Sequence, residues 1–129
     1  SIRAAPRFLV DDRGITVRSP LGEYLLAWPN LEAVAAASSG SLRVKVRRRN
    51  DVLTTHVGTE KQRQFLATQE PLQGWDYFYP SADLGAPAGA LLERLRASVP
   101  AGIEPPRFEP ADGSGSAGAQ SSGRPGPGR

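Results

Sequence analysis

Apolar and polar residues alternate with a period of two through much of the stretch from Phe8 to Tyr79, and follow a helical period only between Ala86 and Val99. Phe8-Leu9-Val10 reads as a first strand and Asp11-Asp12-Arg13-Gly14 as the turn behind it, where Gly14 can supply a positive φ. Ile15-Thr16-Val17-Arg18 then alternates as a half-buried strand does. Ser19-Pro20-Leu21-Gly22 turns the chain back into Tyr24 to Trp28, with Tyr24, Leu26 and Trp28 on one face and Leu25 and Ala27 on the other. Both faces are apolar, so this strand is expected to be covered on both sides. Pro29 ends it, because a residue without an N–H cannot donate to a ladder.

Asn30 is positioned to start a short helical turn, after which Leu31, Ala33, Val34 and the alanines lead into a loop at Ser38-Ser39-Gly40. The clearest strand runs from Leu42 to Arg49, where Leu42, Val44 and Val46 alternate with Arg43, Lys45 and Arg47. Asn50-Asp51 fits a two-residue turn, so Val52 to Val57 is expected to return antiparallel. That register sets Val46 opposite Thr55, Lys45 beside His56 and Arg47 beside Thr54. Lys61 to Ala67 fits either a helical turn or a strand, and strand is the reading taken forward. Gly74 to Tyr79 is a further strand with Trp75, Tyr77 and Tyr79 on one face, closed by Pro80.

The one helix is Ala86 to Val99: Ala88, Leu91, Leu92, Leu95 and Val99 make a single apolar stripe, Pro87 suits a first turn, and Pro100 stops it. Residues 109–129 are almost wholly Gly, Ser, Ala, Pro and Gln with a few charges, too little apolar surface to offset the entropy of ordering. The expected organisation is therefore one domain over residues 1–100 and a disordered Pro/Gly/Ser-rich tail or added linker over 101–129.

Composition narrows the chemistry. The 129 residues, 39% hydrophobic, suit one modest core. There is no cysteine, which excludes disulfides, thiolate metal sites and Cys nucleophiles. There is also no Met, and a chain opening Ser1-Ile2-Arg3 reads as a fragment or a processed product. No window approaches the run of about 18 apolar residues that a membrane-spanning helix requires. The net charge of +3 sits in the first hundred residues, where 13 Lys and Arg face 10 Asp and Glu. A surplus of that size is an ordinary solubility margin as readily as a nucleic-acid signature.

The run Val10-Asp11-Asp12-Arg13-Gly14-Ile15-Thr16-Val17-Arg18, followed by Leu25-Leu26-Ala27-Trp28-Pro29-Asn30-Leu31-Glu32-Ala33-Val34, resembles the opening of bacterial pleckstrin-homology-like domains. It is similar above all to those of small actinobacterial membrane proteins such as the mycobacterial low-molecular-weight antigen family. The resemblance is close over residues 8–34 and elsewhere extends only to the order of elements. It implies a bent antiparallel sheet or barrel of about seven strands, plugged by the C-terminal amphipathic helix. It also implies a cytoplasmic module at the inner face of the cell membrane, held there by a segment outside this chain, that binds a partner protein or serves a structural role. Phosphoinositide binding is not implied by these residues.

The candidate binding group is basic: Arg43, Lys45, Arg47, Arg48 and Arg49, with His56 beside Lys45. Guanidinium and ammonium groups on one strand face can meet an acidic peptide, an anionic membrane surface or, as an alternative, nucleic acid assisted by Trp75 and Tyr77. The competing reading is a strand face charged for solubility. For the aromatic trio Trp75, Tyr77 and Tyr79, packing under the helix against Leu91 and Leu95 is favoured over base stacking. No catalytic or metal-binding constellation emerges: His56 is the sole histidine, and Asp11, Asp12 and Asp76 lack metal-ligand spacing. Gly113 to Gly118 matches G-x-G-x-x-G without the strand and helix that give the motif meaning. A non-catalytic interaction module without cofactor or small-molecule substrate is expected, a small enzyme being the least favoured alternative.

Overall fold

The computed structural model describes residues 7–110. It is mainly sheet, with seven strands in two sheets and three α-helices, and the strands do not close into a barrel among the described residues. β1 (Arg7–Val10), β2 (Gly14–Ser19) and β3 (Gly22–Ala27) form an antiparallel meander. Its registers place Phe8, Val17 and Tyr24 in one cross-strand row and Val10, Ile15 and Leu26 in the next, so the alternation read from the sequence becomes one continuous core face. Gly14 sits at φ +146° where a Cβ would collide with the Leu26 carbonyl, so the β1–β2 turn accepts no side chain there.

Trp28 carries the chain from one sheet to the other. Trp28–Asn30 is a single 3₁₀ turn, the indole is fully buried, and its Nε1–H donates to the Asp11 carbonyl at 2.9 Å. The Trp28 backbone N–H also donates to Arg13 O at 3.1 Å, tying the crossover to the first turn of the meander. The Trp-Pro pair in the sequence thus marks the corner of the fold.

The second sheet has the order β6-β5-β4-β7, built from β4 (Leu31–Ala36), β5 (Leu42–Val46), β6 (Tyr77–Tyr79) and β7 (Arg107–Pro110). β4–β5 and β5–β6 are antiparallel, whereas β4–β7 is parallel. α3 (Ala88–Ser98) packs against β4 through the stripe Ala88, Leu91, Leu92 and Leu95, as its periodicity requires. These leucines share one core with Trp28, Val44, Tyr77 and Tyr79, so burial of the aromatic face at Tyr77 and Tyr79 follows the expectation. Trp75 lies outside that core, half-buried beside a tight Leu72–Trp75 turn.

Four expectations are corrected. No helical turn starts at Asn30: the 3₁₀ turn ends there and residues 31–36 form a central strand that leads into the expected loop at Ser38-Ser39-Gly40, because β5 and β7 pair with it on both sides and that ladder overrides the poor strand propensity of alanine. Val52–Val57 is not a returning strand, since Arg49–Leu53 is α1 and β5 instead pairs with β4 and β6. The expected pairings of Val46 with Thr55, Lys45 with His56 and Arg47 with Thr54 are therefore not formed. Glu60–Ala67 is α2, not a strand; Thr59 and Gln62 build a capping box that supplies the missing partners of its first turn. Finally, the fold does not end at Pro100. Pro106 is buried, Phe108 packs on the core, and β7 completes the second sheet, so the expected tail of residues 101–129 begins with a structural strand. The rest of that tail, including Gly113 to Gly118, lies outside the described residues.

Candidate functional site

The alternation holds over Leu42–Val46, where Leu42, Val44 and Val46 are buried and Arg43 and Lys45 lie on the opposite, half-buried face, but the strand stops there and not at Arg49: Arg47 lies beyond it and Arg49 opens α1. The sheet around them then decides what each cation does. Lys45 Nζ stands 3.9 Å from Glu32 Oε2, and the same carboxylate oxygen lies 3.8 Å from an Arg107 guanidinium nitrogen. Arg107 in turn contacts Glu109 Oε2 at 3.3 Å. Cross-strand neighbours explain the set, because Ala33 lies between Lys45 and Arg107, and Ala35 between Arg43 and Glu109. The basic strand face is thereby interleaved with acids from β4 and β7.

Arg43 is also engaged. Its guanidinium lies over the Phe78 ring at 5.7 Å and donates to Gln73 Oε1 at 3.3 Å. Arg49 serves the fold outright, donating one NH₂ group to Leu66 O at 3.2 Å and Gln69 O at 2.7 Å, which satisfies carbonyls at the C-terminal end of α2. It also lies over Tyr77, 5.7 Å from the ring centroid. His56 is not beside Lys45. Its Nε2 is 2.7 Å from Leu21 O in the β2–β3 turn, and because a carbonyl only accepts, Nε2 carries the proton. His56 thus fastens that turn to the segment after α1, next to the Glu23–Val57 backbone bridge.

Arg47 and Arg48 remain. Both are exposed, and among the described residues neither guanidinium has an ion-pair partner. Their backbone is held firmly by Asn30, a buried polar residue: Asn30 Oδ1 accepts from Arg48 N at 2.9 Å, Asn30 Nδ2 donates to Arg48 O at 3.0 Å, and Asn30 O accepts from Arg47 N at 2.8 Å. Two shallow depressions meet at Pro29 and Arg47. One, of about 360 Å³, is lined by Leu25, Ala27, Asn30, Arg48 and Asp51 besides that pair; the other, of about 410 Å³, adds Gly102, Ile103 and Glu104. Asn30, read from the sequence as a helix start, is the site residue that sequence reasoning missed. A lone Asn after Pro is an ordinary turn residue until its partners at Arg47 and Arg48 are known.

The structure therefore splits the sequence-derived group. Arg47 and Arg48 stay together at a cleft, Lys45 is paired with Glu32 on the sheet face, Arg43 is held by Phe78 and Gln73, and Arg49 and His56 are structural fasteners elsewhere. Tyr77, invoked for base stacking, is 1% exposed and presents no ring face to a base. Among the described residues no group of His, Asp and Glu is arranged to hold a metal ion, and no helix is long and apolar enough to cross a membrane. Comparison with protein-family models, with curated proteins and with solved structures finds no match to this chain.

Proposed function

We propose that this domain is a non-catalytic interaction module that docks an acidic segment of a partner protein on Arg47 and Arg48. The observation that carries the reading is the state of these two guanidiniums: alone within the basic run they lack an ion-pair or side-chain partner among the described residues, and Asn30 fixes their backbone beside a concave, partly apolar surface. With the backbone held, binding orders only the two side chains, whose planar guanidiniums can take a carboxylate bidentately. The concavity around Pro29 favours a peptide over a flat anionic bilayer. The two-sheet, one-stripe-helix arrangement is compatible with an open member of the pleckstrin-homology-like folds. The resemblance at residues 8–34 supports a module carried at the inner face of a bacterial membrane by another segment of a longer protein.

The test is fluorescence anisotropy with a labelled octaglutamate peptide. Arg47→Glu combined with Arg48→Glu weakens binding by about tenfold or more, and raising salt weakens the wild type. Lys45→Gln changes affinity little, because Lys45 already faces Glu32. Equal binding by the double variant and the wild type would refute the assignment. Anionic vesicles assayed in parallel separate a peptide site from a membrane surface.

A further inference from the structure

The four-stranded sheet ends at β6, whose second edge has no strand partner among the described residues. A cavity of about 300 Å³ touches Tyr77, Phe78 and Tyr79 in succession. Successive strand residues point to opposite faces, so a cavity bordered by all three follows the edge of the strand and not one of its faces. It is also lined by Ser19, Pro20 and Leu21 of the β2–β3 turn, by Tyr24 and by Gln69. Here the two sheets are joined by side chains: the Phe8 ring meets Tyr79 edge-on at 5.0 Å, and the Tyr24 and Tyr79 hydroxyls are 2.7 Å apart. No backbone ladder crosses this seam among the described residues.

An unpaired strand edge presents a row of N–H and C=O groups, and natural sheets blunt such edges by keeping them short or with charges, Pro or bulges; β6 is three residues long and bounded by Asp76 and Pro80, which limits a partner to a short pairing. Tyr77-Phe78-Tyr79 carries no charge, and its register with β5 shows no bulge. We propose that this edge is a strand-addition site, at which an extended, proline-free segment of a partner protein pairs with β6 and seats one apolar side chain among Pro20, Leu21 and Tyr24. Only an extended polypeptide offers donors and acceptors at the spacing a strand edge presents. A strand of three residues forms few such bonds, so the largely apolar cavity beside it supplies the remaining contact. The groove goes beyond the Arg47/Arg48 reading and shares no lining residue with those depressions.

The probe is the synthetic strand peptide acetyl-Lys-Thr-Val-Ile-Val-Thr-Lys-amide, added to the ¹⁵N-labelled full chain. It has no acidic residue, so it bypasses Arg47 and Arg48, and the two proposals fail separately. At saturation, amide shifts cluster at Ser19–Leu21 and Tyr77–Tyr79, and hydrogen exchange at the free edge of β6 slows by at least about tenfold. Leu21→Trp, which fills the groove from the turn side, weakens the peptide by about tenfold or more, whereas Arg47→Glu with Arg48→Glu leaves it unchanged. Gln69→Trp, at another residue lining the groove, gives the same loss if Leu21→Trp disturbs the fold. The proposal is overturned by absence of shifts up to about 1 mM peptide, by shifts confined to other surfaces, or by a β6 edge already protected before peptide is added, which would mean that the chain covers the edge itself.

Discussion

Asn30 shows how much one buried amide decides. It replaces water for both backbone polar groups of Arg48, and its own carbonyl takes the Arg47 N–H. Asn30→Ala removes the side-chain partners of the Arg48 N–H and C=O while the backbone carbonyl keeps the Arg47 N–H, so stability in urea falls by about 1–3 kcal/mol and acidic-peptide affinity falls with it. The tyrosines give a second residue-scale prediction. Burial pushes the Tyr24 hydroxyl up to about 12, against the opposing effect of its bond to Tyr79. Burial likewise raises Tyr79, where Tyr24 adds to the effect, and Tyr77, where Arg49 partly offsets it. Each group stays protonated in the folded state at a pH where the unfolded chain has begun to ionise, so the folded state binds more protons. Their contribution to stability is therefore full below the unfolded value near 10 and is lost as pH rises through the folded values. Urea melts recorded from pH 8 to 11.5 will hold steady at first and then decline, by up to about 1.4 kcal/mol per pH unit for each tyrosine. Tyr79→Phe flattens that decline, and an equally steep fall in this variant would show that other groups carry it.

At the scale of elements, α2 is decided by its ends more than by its amphipathicity, since Leu66 is its one buried residue and Phe65 is exposed. Thr59 and Gln62 exchange hydrogen bonds at the N-terminal end, and Arg49 takes the carbonyls of Leu66 and Gln69 at the other. Thr59→Ala costs about 1 kcal/mol. Arg49→Met costs more, about 1–3 kcal/mol, because two carbonyls lose a charged donor, yet it leaves acidic-peptide affinity unchanged; a loss of affinity equal to that of the Arg47 variant would return Arg49 to the docking site. The Thr-x-x-Gln capping signal was readable at Thr59, but the mixed periodicity of Lys61 to Ala67 concealed the helix. By contrast, the strand at Leu42 and the helix at Ala88 were legible because a single burial pattern runs their full length.

For the whole molecule, closure of the second sheet depends on residues far along the chain. β7 returns beside β4 in parallel, and Arg96 of α3 lies over Phe108 at 5.5 Å, so the final strand clamps helix and sheet together. A chain ended at Pro100 lacks Phe108 and β7, and so exposes the β4 edge and the core surface that Phe108 covers. It unfolds at a lower urea concentration than the full chain and exchanges the β4 amides faster; an unchanged midpoint would show that β7 is dispensable. The same connectivity accounts for the fate of the basic strand. Glu32 and Glu109 come from neighbouring strands and pair with Lys45 and Arg107, which interrupts the row of cations while leaving Arg47 and Arg48 past its end.

The sequence by itself determined the meander from Phe8 to Ala27, the corner at Trp28-Pro29, the alternation of Leu42 to Val46 and the apolar stripe of the helix, because each is written in local periodicity and turn chemistry. Tertiary structure alone decided that the alanines after Leu31 form a central strand, that Arg49 and His56 are fasteners, that Asn30 organises the cleft, and that β6 is the outermost strand of its sheet among the described residues. Those outcomes depend on which strands become neighbours, and strand neighbours are chosen by long-range pairing and shared burial, which a local pattern of residues does not encode.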